Sequence, residues 1–232
     1  MVSQLGAGRA AADMGAMQVT SMVEDPELVQ RRRKEIVAAA AELFSKQGFY
    51  RTTIKEIASL AGISSGLVYQ YVREKDDLLL LVILEVVDAY AREIPPALAG
   101  IDDPIERLVA TVDAYCRVVD KRRAATVLAY RSTKSLSPDR RRFIQRRELE
   151  TNQMISAAIA DCIRSRLVRK INVDVLTYQI VLIAHGWALK SWYLKTRLSI
   201  EQYIRDSLDI LLGGILTPSG RRRYAARKSR RK

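Results

Sequence analysis

The chain has 232 residues, 48% hydrophobic but only 6% aromatic, with a net charge of +13. The length suits one small domain fused to a medium one, and the richness in Ala, Leu, Ile, Arg and Glu favours helices over sheets. Cys116 and Cys162 stand far apart without CxxC spacing, which excludes a disulfide scaffold or zinc ribbon, and the longest apolar run, Leu78 to Leu84, falls well short of the roughly 20 residues of a membrane span.

Residues 1–25 carry small residues, no apolar period and no clean signal-peptide core, so a disordered extension and a cytoplasmic location are expected. The other end, residues 219–232, reads as a disordered basic tail. Its last twelve residues hold eight cations and no acid, which leaves +5 on the rest of the chain. Bulk charge is therefore weak evidence for specific nucleic-acid binding.

From Pro26, Ile36, Ala39, Ala40, Leu43 and Phe44 recur at helical spacing, and Gly48 ends that helix. Thr53 and Glu56 form a capping box for a second helix with Ile54, Ile57, Ala58 and Ala61 on its inner face, stopping at Gly62. Ser64 caps a third short helix through Leu67, Val68 and Tyr71. Asp76 and Asp77 open a fourth, carrying Leu78 to Ile94 and stopped by Pro95-Pro96. Pro104 starts a fifth. Residues 124–136, 137–167, 174–194 and 199–216 supply the rest. The pattern predicts an all-α chain with a three-helix helix-turn-helix domain over 26–75 and a larger helical domain over 76–218.

Two short helices joined by a Gly-containing turn make a helix-turn-helix. The second helix must offer small or polar residues to the major groove and an apolar back to its own domain. Ser64, Ser65 and Gly66 meet the first need, and Val68 and Tyr71 the second. Gly62-Ile63-Ser64-Ser65-Gly66 also spells GxSxG, the nucleophile elbow of serine hydrolases. That motif needs a preceding strand and a following acid and histidine. Here a helix precedes it, His185 is the sole histidine, and Ser64 explains itself as a cap. No enzyme, metal or cofactor is expected.

The stretch from Arg33 to Leu79 resembles the TetR-family DNA-binding domain. The resemblance rests on the Ala-rich first helix closing at Phe44 and Gly48-Phe49, then Thr52-Thr53-Ile54, Ile57-Ala58, Ala61-Gly62-Ile63-Ser64, Gly66, Tyr69, Tyr71, Lys75 and Leu78. It implies a repressor that binds palindromic double-stranded operator DNA as a homodimer and is released by a small hydrophobic effector. DNA-binding roles then fall to Arg33, Thr53, Ser64, Ser65, Gly66, Tyr69, Gln70 and Lys75. Thr53, Tyr69 and Lys75 would touch the backbone, and Gln70 base edges. Ser65 stands where many relatives carry Lys or Arg, and Leu67 where a smaller residue is common.

The resemblance also implies dimerisation through the last two long helices, with Tyr178, Val181, Trp187, Tyr203, Leu208 and Leu212 as interface candidates. Polar groups embedded in the apolar helices nominate Tyr115, Tyr130, Arg131, Glu148, Asn152, His185 and Trp192 for the effector pocket. Arg122, Arg123, Arg131, Lys134 and Arg140 to Arg142 lie near its expected mouth and suit an anionic head group. That arrangement is similar to FadR-like TetR repressors that respond to acyl-CoA. The competing reading is an architectural nucleic-acid binder that uses the basic tail without sequence preference.

Overall fold

A computed structural model describes residues 19–229, and among these every regular element is a helix. In chain order they are α1 (Pro26–Gln47), α2 (Ile54–Leu60), α3 (Ser65–Tyr71), α4 (Lys75–Ala97), α5 (Pro104–Lys121), α6 (Arg123–Ser132), α7 (Pro138–Arg164), α8 (Val173–Leu189), α9 (Ser191–Leu194), α10 (Ile200–Ile215) and α11 (Pro218–Ser229). A single 3-10 turn, Thr133–Ser135, follows α6. One isolated antiparallel bridge pairs Val168 with Leu216.

The chain divides into two compact units. The first takes the chain up to Leu84 together with Leu128–Gln145, and the second takes Glu85–Val127 and everything from Arg146. The first unit therefore runs past the boundary expected at residue 75. Leu78, Leu79, Leu80, Val82 and Ile83 are all buried, and none belongs to the core cluster of the second unit. Three helices, α4, α6 and α7, continue from one unit into the other.

In the first unit α1, α2 and α3 pack against one another. Ile36, Ala40, Phe44, Ile57, Ala58, Val68 and Tyr71 are buried, and the Phe44 and Phe49 rings meet edge-on at 5.2 Å. The cap of α1 is Asp25, whose carboxylate accepts from the amides of Glu27 and Leu28. Gly48 then turns the chain at φ +88°, a conformation that a side chain would disfavour.

In the second unit α5 packs against α8, α10 and α11. Ile105, Leu108, Val112, Ile159, Ile180, Ala184, Leu208 and Leu212 form a continuous apolar core. Both cysteines are buried as free thiols, each pushed up to about 12 by desolvation.

Four expectations need correction. Pro95 and Pro96 do not stop α4 but lie in its last turn. They withhold only amides, their exposed faces leave water to satisfy the freed acceptors, and their own carbonyls accept from Leu98 and Ala99. The helix expected over 174–194 breaks at Lys190, where the backbone leaves helical geometry. The tail is helical as far as Ser229 rather than disordered from 219. Tyr224 donates to Asp209 at 2.7 Å, Arg223 pairs with Asp103, and the Gly220 backbone comes so close to the Leu167 carbonyl that no Cβ would fit. Finally, residues 19–25 of the expected extension are ordered against α3, as described below, whereas 1–18 and 230–232 lie outside the described residues.

Candidate nucleic-acid interface and effector site

The helix-turn-helix is fixed by local chemistry at both helix starts. The amide of Glu56 donates to the Thr53 hydroxyl at 3.2 Å, while the Thr53 amide donates to the Glu56 carboxylate at 2.7 Å. The box uses two amides that a helix start otherwise leaves open. Hydrogen bonds from the Thr53 backbone and hydroxyl, then from Gln47, hold the Glu56 carboxyl below its ordinary range. At α3 the amide of Leu67 donates to the Ser64 hydroxyl at 3.2 Å. Ser64 is thus a helix cap preceded by a helical unit, not a nucleophile at the end of a strand.

One face of α3 is buried and the other is open. Val68 and Tyr71 enter the core, while Ser64, Gly66, Tyr69 and Gln70 are exposed and Ser65 is half-buried. Tyr69 leaves 48% of its surface open although it is a large aromatic. This is the division that a groove-reading helix requires.

Two residues expected to bind DNA are committed elsewhere. The Lys75 ammonium donates to the carbonyls of Phe49 (2.9 Å), Thr52 (3.0 Å) and Tyr50 (3.3 Å), and it sits 4.6 Å above the Phe49 ring. An ammonium has three donors, and all three are in use. Arg33 donates through Nε and Nη2 to the Tyr71 carbonyl, at 3.0 and 2.9 Å, and through Nη2 also to Val19. Both residues brace the motif from behind.

The end of α3 is secured by a segment that sequence reasoning passed over. The Ser21 hydroxyl and the Met22 amide both donate to the Gln70 carbonyl, at 3.0 and 2.8 Å. Together with Arg33 they satisfy the last carbonyls of α3, which no residue within the helix can reach. Nothing in the sequence of residues 19–23 announces this. Arg51 and Lys55 were also passed over. Both are exposed on either side of Thr53, and among the described residues neither is in an ion pair. Their signal was available: two cations flanking a helix cap.

The effector candidates divide into two sets. Tyr115, Asn152 and His185 come together inside the second unit and add Tyr90, which the sequence reading missed. Tyr90 stacks on Tyr115 at 4.1 Å, and the Tyr115 ring lies 5.9 Å from His185. The Tyr90 hydroxyl is 3.2 Å from His185 Nε2, and the Tyr115 hydroxyl donates to Asn152 Oδ1 at 3.4 Å. Burial lowers His185 to about 4, so its ring is neutral at pH 7. Asn152 is 4% exposed, and its amide nitrogen has no partner among the described residues. Glu148, one turn before Asn152 on α7, is raised above the ordinary carboxyl range by desolvation.

Tyr130, Arg131 and Trp192 are the exposed candidates. Tyr130 and Arg131 belong to the first unit and are exposed, and Trp192 is an open surface residue. The basic residues expected at a pocket mouth are largely spent on internal pairs. Arg122 reaches Glu93 at 2.6 Å, Arg123 pairs with Asp120, Arg140 with Glu74 and Asp77, and Arg142 with Asp139.

The interface candidates fall mostly inside the single chain. Val181, Trp187, Leu208 and Leu212 are buried within the chain, and Tyr203 is half-buried with its hydroxyl on the Ile183 carbonyl at 2.7 Å. Trp187 donates to Asp120 at 2.7 Å. Only Tyr178 is exposed. The open apolar side chains of these helices are Val175 and Leu182 beside it on α8, and Ile210 on α10, the last 80% exposed.

Against known proteins, residues 36–82 match the family model for bacterial regulatory proteins of the tetR family, and residues 101–215 match the tetracyclin repressor-like C-terminal domain. The HTH-type transcriptional regulator HbdR of Aromatoleum sp. (strain CIB) is 48% identical over 206 residues, covering 89% of this chain and 90% of that protein. The HTH-type transcriptional repressor KstR2 of Mycolicibacterium smegmatis is 28% identical over 85% of this chain and 97% of its own. Among solved structures, AibR in complex with isovaleryl coenzyme A and operator DNA superposes with a TM-score of 0.69 at 20% identity. It covers 78% of this chain and 98% of AibR.

Proposed function

We propose a function from one premise: this chain belongs to the TetR family of bacterial regulatory proteins. It is a transcriptional regulator of the TetR type, and its relatives are regulators rather than enzymes. Among the described residues no helix is long and apolar enough to cross a membrane. The finer reading is a repressor that binds a palindromic operator as a homodimer and releases it when an acyl-CoA thioester binds the second unit.

The observation that carries the DNA reading is the two-faced α3. Val68 and Tyr71 anchor it, while Tyr69 and Gln70 stand open beside the Ser64 cap. Tyr69 suits a phosphate and Gln70 a base edge, where a bidentate contact to adenine is the favoured pairing. Arg51, Lys55 and the Thr53 backbone flank the start of α2 and suit the opposite phosphates. Lys75 and Arg33 hold these groups in place from behind.

The effector reading rests on the buried Tyr90, Tyr115, Asn152 and His185 group. An unpaired amide donor in an apolar core is costly, and a ligand carbonyl would satisfy it. A thioester supplies a carbonyl and an apolar tail, and the AibR complex contains isovaleryl coenzyme A and operator DNA. Because α4, α6 and α7 each run through both units, repacking around a ligand is carried along continuous helices toward the DNA-binding motif. Two recognition helices displaced from half-sites roughly 34–36 Å apart no longer fit successive major grooves together.

Dimerisation is assigned to the exposed Val175, Tyr178 and Leu182 of α8 and to Ile210 of α10. The test is fluorescence anisotropy on DNA upstream of the gene, at fixed salt, with and without isovaleryl-CoA. Tight binding abolished by the thioester is the expected result. Weak binding without sequence preference would favour the architectural alternative instead.

A further inference from the structure

The cations that the sequence places near an anionic head group are mostly paired internally, but another set is not. Between Asp174 and Glu201 the chain carries no acidic residue. The segment that leaves α8 holds Lys190, Trp192, Tyr193, Lys195 and Arg197, all exposed. Trp192 leaves 74% of its surface open and meets the Tyr193 ring edge-on at 5.8 Å. The Arg197 guanidinium lies 4.4 Å from the centre of that same Tyr193 ring. Among the described residues none of the three cations is paired with a carboxylate. An open tryptophan beside three unpaired cations is an arrangement that folding alone does not call for.

We propose that Trp192, Lys190, Lys195 and Arg197 bind the nucleotide end of a coenzyme A thioester. Adenine stacks on the open Trp192 ring, and the phosphates of the adenosine 3′-phosphate 5′-diphosphate pair with the three cations. This rests on the acyl-CoA reading above. Bases of any kind stack on an exposed aromatic, because every base has a π face. Arginine matches phosphate with parallel donors, and Arg197 is already held by Tyr193, so less side-chain freedom is lost on binding.

Placement along the chain agrees with this assignment. Trp192 follows His185 by seven residues, and the helix that carries His185 ends at Leu189, three residues before Trp192. Coenzyme A separates its thioester from its nucleotide by the extended pantetheine arm. In this assignment that arm joins a carbonyl at the Asn152 amide to an adenine at Trp192. The set of cations also differs from the one the sequence suggested, because Arg122, Arg123, Arg140 and Arg142 already have carboxylate partners.

The test uses the full-length protein with three probes: coenzyme A, adenosine 3′,5′-bisphosphate and isovaleryl-pantetheine, which carries the thioester without the nucleotide. Binding is read by calorimetry and by tryptophan fluorescence. Coenzyme A and the bisphosphate should bind the wild type and quench Trp192. Trp192→Ala should weaken coenzyme A about tenfold, with Trp192→Phe recovering most of the loss. Lys195→Ala with Arg197→Ala should weaken it by a similar factor and flatten its salt dependence. Equal affinity in all variants, or no binding of either nucleotide to the wild type, overturns the assignment. So does a Trp192→Ala protein that sediments as a smaller species than the wild type, since Trp192 would then be a subunit contact. If isovaleryl-pantetheine releases DNA while the nucleotides leave Trp192 untouched, the effector reading stands and this assignment falls. If the nucleotides quench Trp192 but no thioester releases DNA, the reverse holds.

Discussion

Arg140, at the start of α7, places its guanidinium on the carboxylate of Asp77, at the start of α4. Asp77 is nearly fully buried. Its second oxygen accepts from the amides of Arg73 and Glu74, the turn that directly follows the recognition helix. Arg140 also reaches Glu74 at 3.1 Å. The turn behind α3 is therefore held by one carboxylate, and that carboxylate is held by the helix that farther along carries Glu148 and Asn152. Removing the cation leaves a buried negative charge without its counter-ion. Arg140→Ala should lower unfolding stability by about 2 kcal/mol, less than for a fully buried pair because Arg140 is partly solvated. It should also weaken operator binding although it touches no DNA. Urea titration and anisotropy measure the two effects, and wild-type operator affinity in this variant would remove Arg140 from the relay.

Lys75 separates a structural cation from a DNA-contacting one. Its three carbonyl acceptors belong to the loop that delivers Thr52 and Thr53 to the start of α2. Hydrogen bonds from charged donors are the stronger kind. Lys75→Met should cost about 2 kcal/mol of stability and leave the salt dependence of residual DNA binding unchanged. A direct phosphate contact would instead reduce the slope of log affinity against log salt by about 0.9. Arg51→Ala or Lys55→Ala should show that reduced slope at unaltered stability.

Tyr69 and Gln70 are adjacent on the open face of α3 and should fail differently. If Tyr69 meets a phosphate as proposed, Tyr69→Ala should lower affinity on every operator sequence while the melting temperature holds. If Gln70 reads a base edge as proposed, Gln70→Ala should lose about 1–3 kcal/mol of discrimination, seen as changed base preference. Binding-site selection with each variant distinguishes the two. An unchanged selected motif with Gln70→Ala would assign base reading to another residue.

The parts of this fold that could be read from sequence are those written in three or four consecutive residues. The Thr53–Glu56 box, the Ser64 cap, the Gly48 turn and the Asp103-Pro104 helix start each state their own geometry, and each is present. Long-range commitments were not legible. Nothing near Lys75 in the chain reveals that carbonyls 23 to 26 residues earlier occupy it. The open apolar face of α8 was not legible for another reason. Helix α8 is apolar nearly all round, so Val181 and Leu182 are chemically alike, and only the packed structure buries the first while exposing the second. The buried polar cluster was partly visible because Tyr115, Asn152 and His185 interrupt apolar patterns. Tyr90 escaped attention as one more large residue of a buried helix.

His185 ties stability to pH. Burial lowers it to about 4 from an ordinary value near 6.5. The unfolded chain therefore binds a proton below about 6.5 that the folded chain refuses until about pH 4. Folded-state stability from this group is complete above the unfolded value and drains away as pH falls through that window, by up to about 3 kcal/mol. Comparing urea midpoints at pH 7.5 and 5 should show a smaller acid loss in His185→Gln than in the wild type. An equal loss in the two proteins would place the acid sensitivity in the carboxylates.

The exposed and buried apolar residues of α8 and α10 give opposite expectations for changes of similar size. Leu212 is fully enclosed, and Leu212→Ala should cost about 2–5 kcal/mol by leaving a cavity in the core. Leu182 and Ile210 are 53% and 80% exposed on the single chain, so Leu182→Glu and Ile210→Glu remove far less intrachain packing than Leu212→Ala. If these faces close the dimer, an isologous interface repeats every substitution, so each variant places two glutamates in the apolar seam. Burying two like charges there is prohibitive. The variants should sediment as monomers that keep their helical content, with operator affinity falling as the second half-site is lost. Leu212→Ala should remain dimeric while melting earlier. Sedimentation velocity and thermal melts on the three proteins separate the outcomes, and dimeric Leu182→Glu and Ile210→Glu proteins would move the interface to another face of the chain.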